Sequence, residues 1–312
     1  MKTIDIGKSG MLASRIALGC MRINAINIDE AEHIVKNALD AGINYFDHSD
    51  IYAGGYSEEL FGKVLRNTPS LRDKMFVQTK CGIVRKDGIG ENIAFDFSEK
   101  HILEAVDGSL KRLNVEYLDA LLLHRPDALV EPEEVASAFD KLKASGKVRH
   151  FGVSNQTPMQ IELLKKYVTV PLIANQLELN VVECGMINQG LNTNMRNAQS
   201  FMHDGSVMEY SRLNDMTIQA WSPLQIGLFE GTYIDNPEYA RLNEVMDALA
   251  EKYGVAKTAI AVAWILRHPA KVQVIVGTMN YRHLWEIADA DKVELTREEW
   301  YEMYRAAGHP LP

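Results

Sequence analysis

Short apolar runs alternate with longer amphipathic stretches along almost the whole chain. A short apolar run is typical of a buried β-strand, and a stretch with apolar residues every three or four positions is typical of an α-helix. Repeated strand–helix units of this kind favour a parallel sheet. Eight such units account for the chain, and we predict that their strands close into a (β/α)8 TIM barrel, an α/β fold.

The boundaries of these units follow from the apolar runs and from residues that begin or end helices. The predicted strands are 16–19, 45–47, 76–79, 120–123, 148–153, 173–176, 217–221 and 272–276. The predicted helices are 29–41, with Asp29 as its N-cap, 58–65, 98–113, 132–144, 159–166, 207–214, 239–253, 257–267 and 283–290. Residues 7–10 predict the turn of an N-terminal β-hairpin. No linker composition interrupts the pattern, so we predict a single domain over residues 1–312.

A doubly wound parallel sheet would show the same alternation and is the competing architecture. That fold usually places a glycine fingerprint for a dinucleotide after its first strand. The sequence contains neither GxGxxG nor a Walker A motif. Polar residues at the ends of several predicted strands favour the closed barrel instead.

Two connections, 81–97 and 181–206, are much longer than the usual loop between a strand and a helix. Both follow predicted strands, so we expect both long loops on the catalytic face. Each is either a wall of a substrate pocket or a tolerated insertion. Ile83, Ile89, Ile93 and Phe95 in the first connection suggest a pocket that tolerates hydrophobic substrates. The chain ends soon after the last predicted helix, so we expect no long C-terminal lid, an open site and broad specificity.

The overall charge and the cysteines restrict the location and the partners. A net charge of −9 with a pI near 5.5 argues against nucleic acid, which would need a basic face. Cys20, Cys81 and Cys184 form no CxxC pair and no metal-ligand spacing, which suits the reducing cytoplasm. The N-terminus lacks the apolar region of a secretory signal, and no apolar stretch approaches a membrane span. We predict a cytoplasmic protein without membrane or nucleic-acid partners, and the sequence predicts no oligomeric state.

Four polar side chains, Asp47, Tyr52, Lys80 and His124, lie at or just beyond the ends of predicted strands two, three and four. Catalytic groups of a (β/α)8 barrel come from such strand ends, so we expect the four to meet. They suit a carbonyl that receives a hydride, because its oxygen then needs a proton. A tyrosine hydroxyl with a pKa of ~10 is a good donor if a neighbouring ammonium lowers that pKa. Lys80 would supply the ammonium, Asp47 would hold it, and His124 would orient the carbonyl.

These residues lie in segments that resemble the aldo-keto reductases, most closely a bacterial branch of that family. The matching segments are Phe46-Asp47-His48-Ser49-Asp50-Ile51-Tyr52, Thr79-Lys80, Leu122-Leu123-His124-Arg125-Pro126-Asp127, Gly152-Val153-Ser154-Asn155, Asn175-Gln176, Ala220-Trp221-Ser222-Pro223-Leu224 and Gly277-Thr278. They occur in the right order over nearly the full length. The resemblance implies a barrel that binds an extended nicotinamide cofactor, usually NADPH, and reduces small-molecule carbonyl substrates.

The resemblance also implies roles for individual residues. Tyr52 would be the proton donor, supported by Asp47, Lys80 and His124. The implied cofactor contacts near the ring are Ser154, Asn155 and Gln176 at the carboxamide and Trp221, which stacks on the nicotinamide. The implied cofactor contacts along the pyrophosphate are Ser222, Leu224 and Gly227. An ordinary turn glycine explains Gly227 equally well.

The last implied cofactor segment departs from the family pattern. It comprises Gly277, Thr278, Asn280, Arg282, His283 and Glu286. Many relatives have an Arg, which suits the adenosine 2′-phosphate, where His283 aligns. Arg282 lies one position earlier, from which a small shift of the loop would bring it to the phosphate. We therefore predict NADP (NADPH) as the cofactor and keep NAD as the alternative. Glu286 either contacts the adenine or lies exposed on a helix.

Two other functions compete with carbonyl reduction. A cofactor-sensing regulatory protein on the same scaffold, like the β-subunits of potassium channels, would bind the cofactor without needing turnover. Retention of all four catalytic positions favours an enzyme. A metal-dependent barrel hydrolase would draw on Asp47, His48 and Asp50, but the chain has no HxH in its first strand and no HExxH. Residues 47 and 48 would also face opposite sides of a strand, so we predict no metal site.

Overall fold

The computed structural model describes residues 1–85, 93–201, 203–227 and 230–311. Its strands are, in chain order, β1 (Thr3–Asp5), β2 (Leu12–Ser14), β3 (Ile16–Gly19), β4 (Tyr45–Asp47), β5 (Phe76–Cys81), β6 (Ile83–Arg85), β7 (Ile93–Phe95), β8 (Leu118–Leu123), β9 (Val148–Ser154), β10 (Leu172–Glu178), β11 (Thr217–Trp221) and β12 (Gln273–Val276). Its helices are α1 (Ile28–Asp40), α2 (Tyr56–Asn67), α3 (Glu99–Leu113), α4 (Pro132–Ala144), α5 (Pro158–Lys165), α6 (Gly185–Leu191), α7 (Val207–Leu213), α8 (Ala240–Tyr253), α9 (Lys257–Leu266), α10 (Tyr281–Ala288) and α11 (Arg297–Ala306).

A closed barrel of eight parallel strands forms the centre of the fold, in the order β3-β4-β5-β8-β9-β10-β11-β12. The ring closes where β12 pairs with β3, with Val274 beside Ile16. The barrel strands are buried on both faces, because one face fills the interior and the other packs under the helices. The predicted (β/α)8 TIM barrel is confirmed, and the doubly wound alternative is wrong.

Helix α1 buries an apolar face, as the periodicity predicts. The buried positions of α1 lie three or four residues apart, at Ala31, Ile34, Val35 and Ala38. The prediction of Asp29 as the N-cap is wrong: Asn27 caps α1 in a capping box with Glu30, because the helix already begins at Ile28. None of the described helices is long and apolar enough to cross a membrane.

The predicted N-terminal hairpin covers the N-terminal end of the barrel. Strands β1 and β2 pair in antiparallel register, and Ile6 and Met11 between them pack with the barrel residues Tyr45 and Ile173. Gly7 has φ +57°, and a Cβ there would lie 2.3 Å from the Ile173 carbonyl oxygen. This close approach requires glycine. It lets the hairpin pack directly on the barrel and close the end that is not used for the site.

The two long connections contain secondary structure that the sequence reading missed. The first carries the antiparallel pair β6 and β7, in which Ile83 lies beside Phe95, and its residues 86–92 lie outside the described residues. The second carries α6 and a short 3-10 helix, Ala198–Ser200. Helix α11 follows the last predicted helix and packs Trp300 on Trp264 of α9. Tertiary packing, which local pattern does not report, decides whether such short elements form.

The carboxyl ends of the barrel strands bring polar residues to one rim. Asp47 ends β4, Ser154 ends β9 and Trp221 ends β11. Lys80 lies one residue before the end of β5, and His124 directly follows β8. Because all these strands are parallel, residues that are far apart in the sequence meet at the same end of the barrel.

Candidate active site

A cavity of about 1060 Å³ opens at this rim. The predicted site residues in its lining are Asp47, Tyr52, His124, Ser154, Asn155, Gln176, Trp221, Ser222, Leu224, Gly277 and Thr278. Lys80 is fully buried and lies beneath the lining, bonded to Asp47. The structure therefore gathers the four predicted catalytic residues, with Asp47, Tyr52 and His124 at the wall and Lys80 behind them.

Lys80 and Asp47 form a buried ion pair. The Lys80 ammonium donates to both carboxylate oxygens of Asp47 at 2.7 Å and to the carbonyl oxygen of His48 at 2.7 Å. Burial lowers the pKa of Lys80, but the Asp47 charge, the Tyr52 charge and hydrogen bonds to both together hold that pKa above its ordinary value. Lys80 therefore remains a fixed positive charge at neutral pH.

Two glutamine side chains also hold the Asp47 carboxylate, through an oxygen that Lys80 contacts as well. Gln78 Nε2 donates to Asp47 Oδ1 at 2.6 Å, and Gln176 Nε2 donates to the same oxygen at 3.1 Å. Gln219 Oε1 accepts from both amides, at 3.0 and 3.2 Å. A carboxylate with this many donors is fixed in position, and so is the ammonium that binds it.

Tyr52 lies in a 3-10 helix, Tyr52–Gly55, that follows β4. Lys80 Nζ lies 5.1 Å from the centroid of the Tyr52 ring, and the His124 ring packs edge-on at 5.9 Å. Burial raises the pKa of Tyr52, and the charge of Lys80 opposes this rise without cancelling it. The prediction of a lowered pKa is therefore wrong in this structure, because desolvation of the phenolate outweighs the ammonium.

His124 is a neutral imidazole at the cavity wall. Its Nδ1 lies 2.9 Å from the Ser49 hydroxyl. Burial, then the charges of Lys80 and Arg125, hold the pKa of His124 well below its usual range. The ring therefore acts as a hydrogen-bonding group near neutral pH, not as a cation.

Amide and hydroxyl groups line the next part of the cavity. Asn155 Nδ2 donates to Ser154 Oγ at 2.7 Å, and Ser154 Oγ donates to the Gln176 carbonyl oxygen at 2.9 Å. The indole of Trp221 donates to Asn155 Oδ1 at 3.3 Å. Asn155 and Ser222 have φ values of +55° and +51°, a left-handed conformation that asparagine adopts readily and serine rarely adopts. Such strain concentrates at functional sites, where the surrounding contacts hold it.

The first long connection forms an apolar wall of the cavity. Ile83, Ile93 and Phe95 of the β6–β7 pair line it, together with Arg85. Described residues of connection 81–97 therefore line the cavity, and their role in a substrate pocket stays a prediction. No described residue of connection 181–206 lines the cavity.

Comparison with known proteins explains this combination of barrel and side chains. A model of the Aldo/keto reductase family matches residues 15–307. The chain belongs to the aldo/keto reductase family. It is 35% identical over 301 residues to a 6-dehydroglucose reductase of Agrobacterium fabrum, with 94% of each chain covered. It is also 32% identical to the oxidoreductase YdhF of Escherichia coli, with 100% of each chain covered. The solved structure of an aldo-keto reductase from Bacillus halodurans has the same fold, with a TM-score of 0.75, 21% identity and coverage of 100% of this chain and 98% of that one.

This aldo/keto reductase is therefore an oxidoreductase enzyme, and several of its predicted cofactor residues lie away from the cavity. Gly227 lies in the turn after β11 with φ +49°, outside the lining. Asn280 caps α10 by accepting from the Arg282 backbone N–H at 2.9 Å. Arg282, His283 and Glu286 are exposed on α10 and do not line the cavity, to which this helix contributes Ile287. Their implied contacts with the cofactor stay predictions.

Sequence reasoning missed polar residues of this aldo/keto reductase that the structure places at the site. Arg22 lines the cavity beside Gly277, and Arg125 lies with its guanidinium carbon 5.7 Å from the centroid of the Trp221 ring. Gln78 lies in a buried strand two residues before Lys80. Because side chains two apart on a strand share a face, this polar residue in an apolar run was a signal that it points into the barrel beside Lys80.

The structure also shows where His48 and potential metal ligands lie. His48 is buried against Phe61, with ring centroids 4.4 Å apart, and no described residue bonds to either ring nitrogen. Burial and the charge of Lys80 lower the pKa of His48 to about 3. His48 thus packs under α2 and not in the cavity. Within the described residues, no group of three or more His, Cys, Asp or Glu side chains is placed to hold a metal ion.

Proposed function

We propose that the protein reduces aldehyde and ketone carbonyls to alcohols with NADPH, and that Tyr52 donates the proton. The observation that carries this proposal is the position of Tyr52 and His124 in the cavity wall, above the buried Lys80–Asp47 pair. A carbonyl oxygen at this wall would meet a phenol and a neutral imidazole, with a positive charge beside the phenol.

The residues of this chain would manage the proton. NADPH, when bound, supplies the hydride that the carbonyl carbon receives. Tyr52 gives its phenolic proton to the oxygen that gains charge, and the phenolate later regains a proton from solvent. Lys80 stabilises this phenolate, because an ammonium in a buried site favours the charged form of its neighbour. Asp47 keeps that ammonium in place, and His124 orients the carbonyl oxygen by a hydrogen bond.

The cavity fits an extended nicotinamide cofactor. Its lining runs from Asp47 past Trp221 to Gly277 and Thr278, along the rim formed by the last strands. Asn155 and Gln176 offer amide groups suited to a carboxamide, and the indole offers a flat surface on which an aromatic ring can stack.

Arg282 is the residue we propose for the preference for NADPH over NADH. It is exposed in the first turn of α10, with Nε 3.2 Å from the hydroxyl of Tyr281. An exposed guanidinium can take a phosphate in a charge-assisted hydrogen bond. Fluorescence titration should show tighter binding of NADPH than of NADH, with a difference that shrinks as salt screens the charge. Equal affinities at low salt would contradict this assignment.

The substrate would be a small carbonyl compound with both apolar and polar parts. Ile83, Ile93 and Phe95 supply an apolar wall, while Arg125 supplies hydrogen-bond donors next to His124. Since a 35% identical relative is a 6-dehydroglucose reductase, 6-dehydroglucose belongs in the substrate panel beside simple aldehydes and ketones. Comparable rates on several compounds would support broad specificity.

We propose that this protein is a single domain and that it works in the cytoplasm. Its three cysteines fit that location. Cys20, Cys81 and Cys184 are free and buried. No disulfide links them, as expected for a chain that folds under reducing conditions. Fractionation of the source cells would test the location, and limited proteolysis the single domain.

The test of the proposed function is Tyr52→Phe, which removes the phenolic proton and keeps the ring. General acid catalysis contributes on the order of 10²–10⁴-fold, so we expect a loss of kcat of that size with NADPH affinity unchanged. Tyr56→Phe, which alters an exposed tyrosine four residues further along the chain, is the matched control and should keep full activity. Normal turnover by Tyr52→Phe would refute the assignment. Binding of NADPH by the wild-type protein without reduction of any carbonyl in the panel would favour the regulatory alternative.

A further inference from the structure

Two polar residues between β4 and Tyr52, Ser49 and Asp50, have no part in the proposed mechanism so far. Ser49 is buried, and Asp50 is partly buried. Ser49 Oγ lies 2.9 Å from His124 Nδ1 and 3.2 Å from Asp50 Oδ1. The three side chains therefore form a hydrogen-bonded chain that begins at a carboxyl group and ends at the imidazole in the cavity wall.

We propose that Ser49 and Asp50 are positioning residues that set the tautomer of His124. This inference rests on the proposed reductase function, because it concerns the ring that would face the carbonyl oxygen. Nδ1 of His124 is engaged by Ser49, and no described residue bonds to Nε2, which leaves Nε2 for the substrate. The hydrogen on one ring nitrogen decides what the other can do.

The direction of the chain depends on the proton of Asp50. A protonated Asp50 donates to Ser49 Oγ, the serine hydroxyl donates to Nδ1, and Nε2 then carries the hydrogen that a carbonyl oxygen can accept. An ionised Asp50 only accepts, so the serine hydroxyl turns towards it and Nδ1 must carry the ring hydrogen. Nε2 is then an acceptor, which suits an alcohol and not a carbonyl. Reduction is therefore assisted when Asp50 holds its proton.

The groups around Asp50 support a carboxyl that changes state near neutral pH. Burial and the charge of the fully buried Glu58 on α2 raise the pKa of Asp50 to about 7, against the opposing effects of the Ser49 hydrogen bond and of Arg112 on α3. From β5, Lys80 offers its carbonyl oxygen to the Asp50 backbone N–H at 3.1 Å, and the Cys81 thiol stays neutral because burial raises its pKa.

One other acceptor competes for the serine hydroxyl. The carbonyl oxygen of Lys80 lies 3.4 Å from Ser49 Oγ, longer than the 2.9 Å to His124 Nδ1. That carbonyl already accepts the Asp50 backbone N–H. The shorter contact is the stronger hydrogen bond, so a hydroxyl released by Asp50 turns to the imidazole.

The first test measures kcat for carbonyl reduction from pH 5.5 to 9 at saturating NADPH and substrate. We expect the wild-type rate to fall above about pH 7, where Asp50 ionises, and this fall is the alkaline limb of the profile. Asp50→Asn and Ser49→Ala should both lose this limb. At pH 6, kcat of Ser49→Ala should be several-fold lower than that of wild type. Ser49→Thr should show the limb again because threonine keeps the hydroxyl. Glu178→Gln is the matched control and should keep the limb, since Glu178 at the end of β10 also has a raised pKa, about 6, but takes no part in the chain from Asp50 to His124. The same limb in wild type, Asp50→Asn and Ser49→Ala would overturn the inference, and so would its loss in Glu178→Gln.

The second test reads the tautomer without turnover. Imidazole ¹⁵N NMR of the NADP⁺ complex should show the His124 ring hydrogen on Nε2 at pH 6 and on Nδ1 at pH 8.5 in wild type, with no change in Asp50→Asn. A tautomer that stays constant with pH in wild type would overturn the inference. The two proposals fail separately: absent carbonyl reduction refutes the reductase function alone, whereas unchanged profiles in an active enzyme refute the role of Ser49 and Asp50 alone.

Discussion

Replacing Gln78 with methionine tests whether the glutamine layer beneath Asp47 stabilises the barrel. Gln78 is fully buried, and it donates to the Asp47 carboxylate at 2.6 Å while its Oε1 accepts from the Tyr45 hydroxyl at 2.7 Å. Methionine keeps the unbranched shape but offers neither the amide donor nor the carbonyl acceptor. Asp47 retains Lys80 and Gln176, so its charge stays compensated.

Three bonds are lost, and those with Asp47 and Tyr45 set the expected cost. The third is the Gln78 amide bond to Gln219 Oε1 at 3.0 Å, and that oxygen keeps the Gln176 amide as a donor. A hydrogen bond to a charged group contributes about 1.5–3 kcal/mol, and a buried donor left without an acceptor costs about 1–3 kcal/mol. Burial raises the pKa of Tyr45, so its hydroxyl keeps its proton and still needs an acceptor. We therefore expect Gln78→Met to lower the free energy of unfolding by about 3–5 kcal/mol.

Urea unfolding followed by circular dichroism at pH 7 measures this change as a lower midpoint at an unchanged slope. The double variant Gln78→Met/Tyr45→Phe also removes the orphaned hydroxyl, so it should recover about 1–3 kcal/mol relative to Gln78→Met alone. Tyr45→Phe alone is the control for the effect of the ring. If the double variant is no more stable than Gln78→Met, the Tyr45 hydroxyl does not depend on Gln78 and the reasoning fails.

Two further predictions concern Asp50 and the packing of α2. Folding raises the pKa of Asp50 to about 7, so the native state binds this proton more tightly than the unfolded chain does. The resulting stabilisation of the native state is lost as pH rises from about 4 to 7. The free energy of unfolding of wild type should therefore fall by up to about 4 kcal/mol over that window, and that of Asp50→Asn should not. Parallel stability profiles from pH 4 to 8 would contradict this. A Cβ at Gly62 would lie 2.0 Å from the Arg112 carbonyl oxygen, so Gly62→Ala should lower the melting temperature by forcing α2 from α3, at about 1–3 kcal/mol. Gly185→Ala, where nothing lies within 4 Å of the new Cβ, is its control, and equal melting temperatures for the two variants would refute the packing argument.

The barrel and its rim were predictable because the signals are local. An apolar run that ends in Asp47, Lys80 or His124 indicates that the strand is buried, and it also indicates where the polar end of the strand lies. The parallel topology then leaves one place for these ends to meet. The helices were located by the same kind of signal, with errors at their ends, as at the N-cap of α1, where a choice between Asn27 and Asp29 depends on where the first turn closes.

The short elements were not predictable in the same way. The β6–β7 pair and α6 have too few residues for a clear periodicity, and they exist through contacts with the rest of the molecule. The pKa of Tyr52 is a second example. Lys80 acts on it in the predicted direction, but the extent of burial sets the sign of the net shift, and burial is a property of the assembled barrel.

The sequence by itself determined the repeating strand–helix units and the polar residues that reach the rim of the cavity, since both depend on periods of two and of three to four residues. Only the tertiary structure decided that Gln78 supports Asp47, that Ser49 bonds to His124, and that Arg282 lies on an exposed helix turn. These pairings join side chains from different strands and loops. Their distances and desolvation exist only after the ring of strands has closed, so no local pattern encodes them.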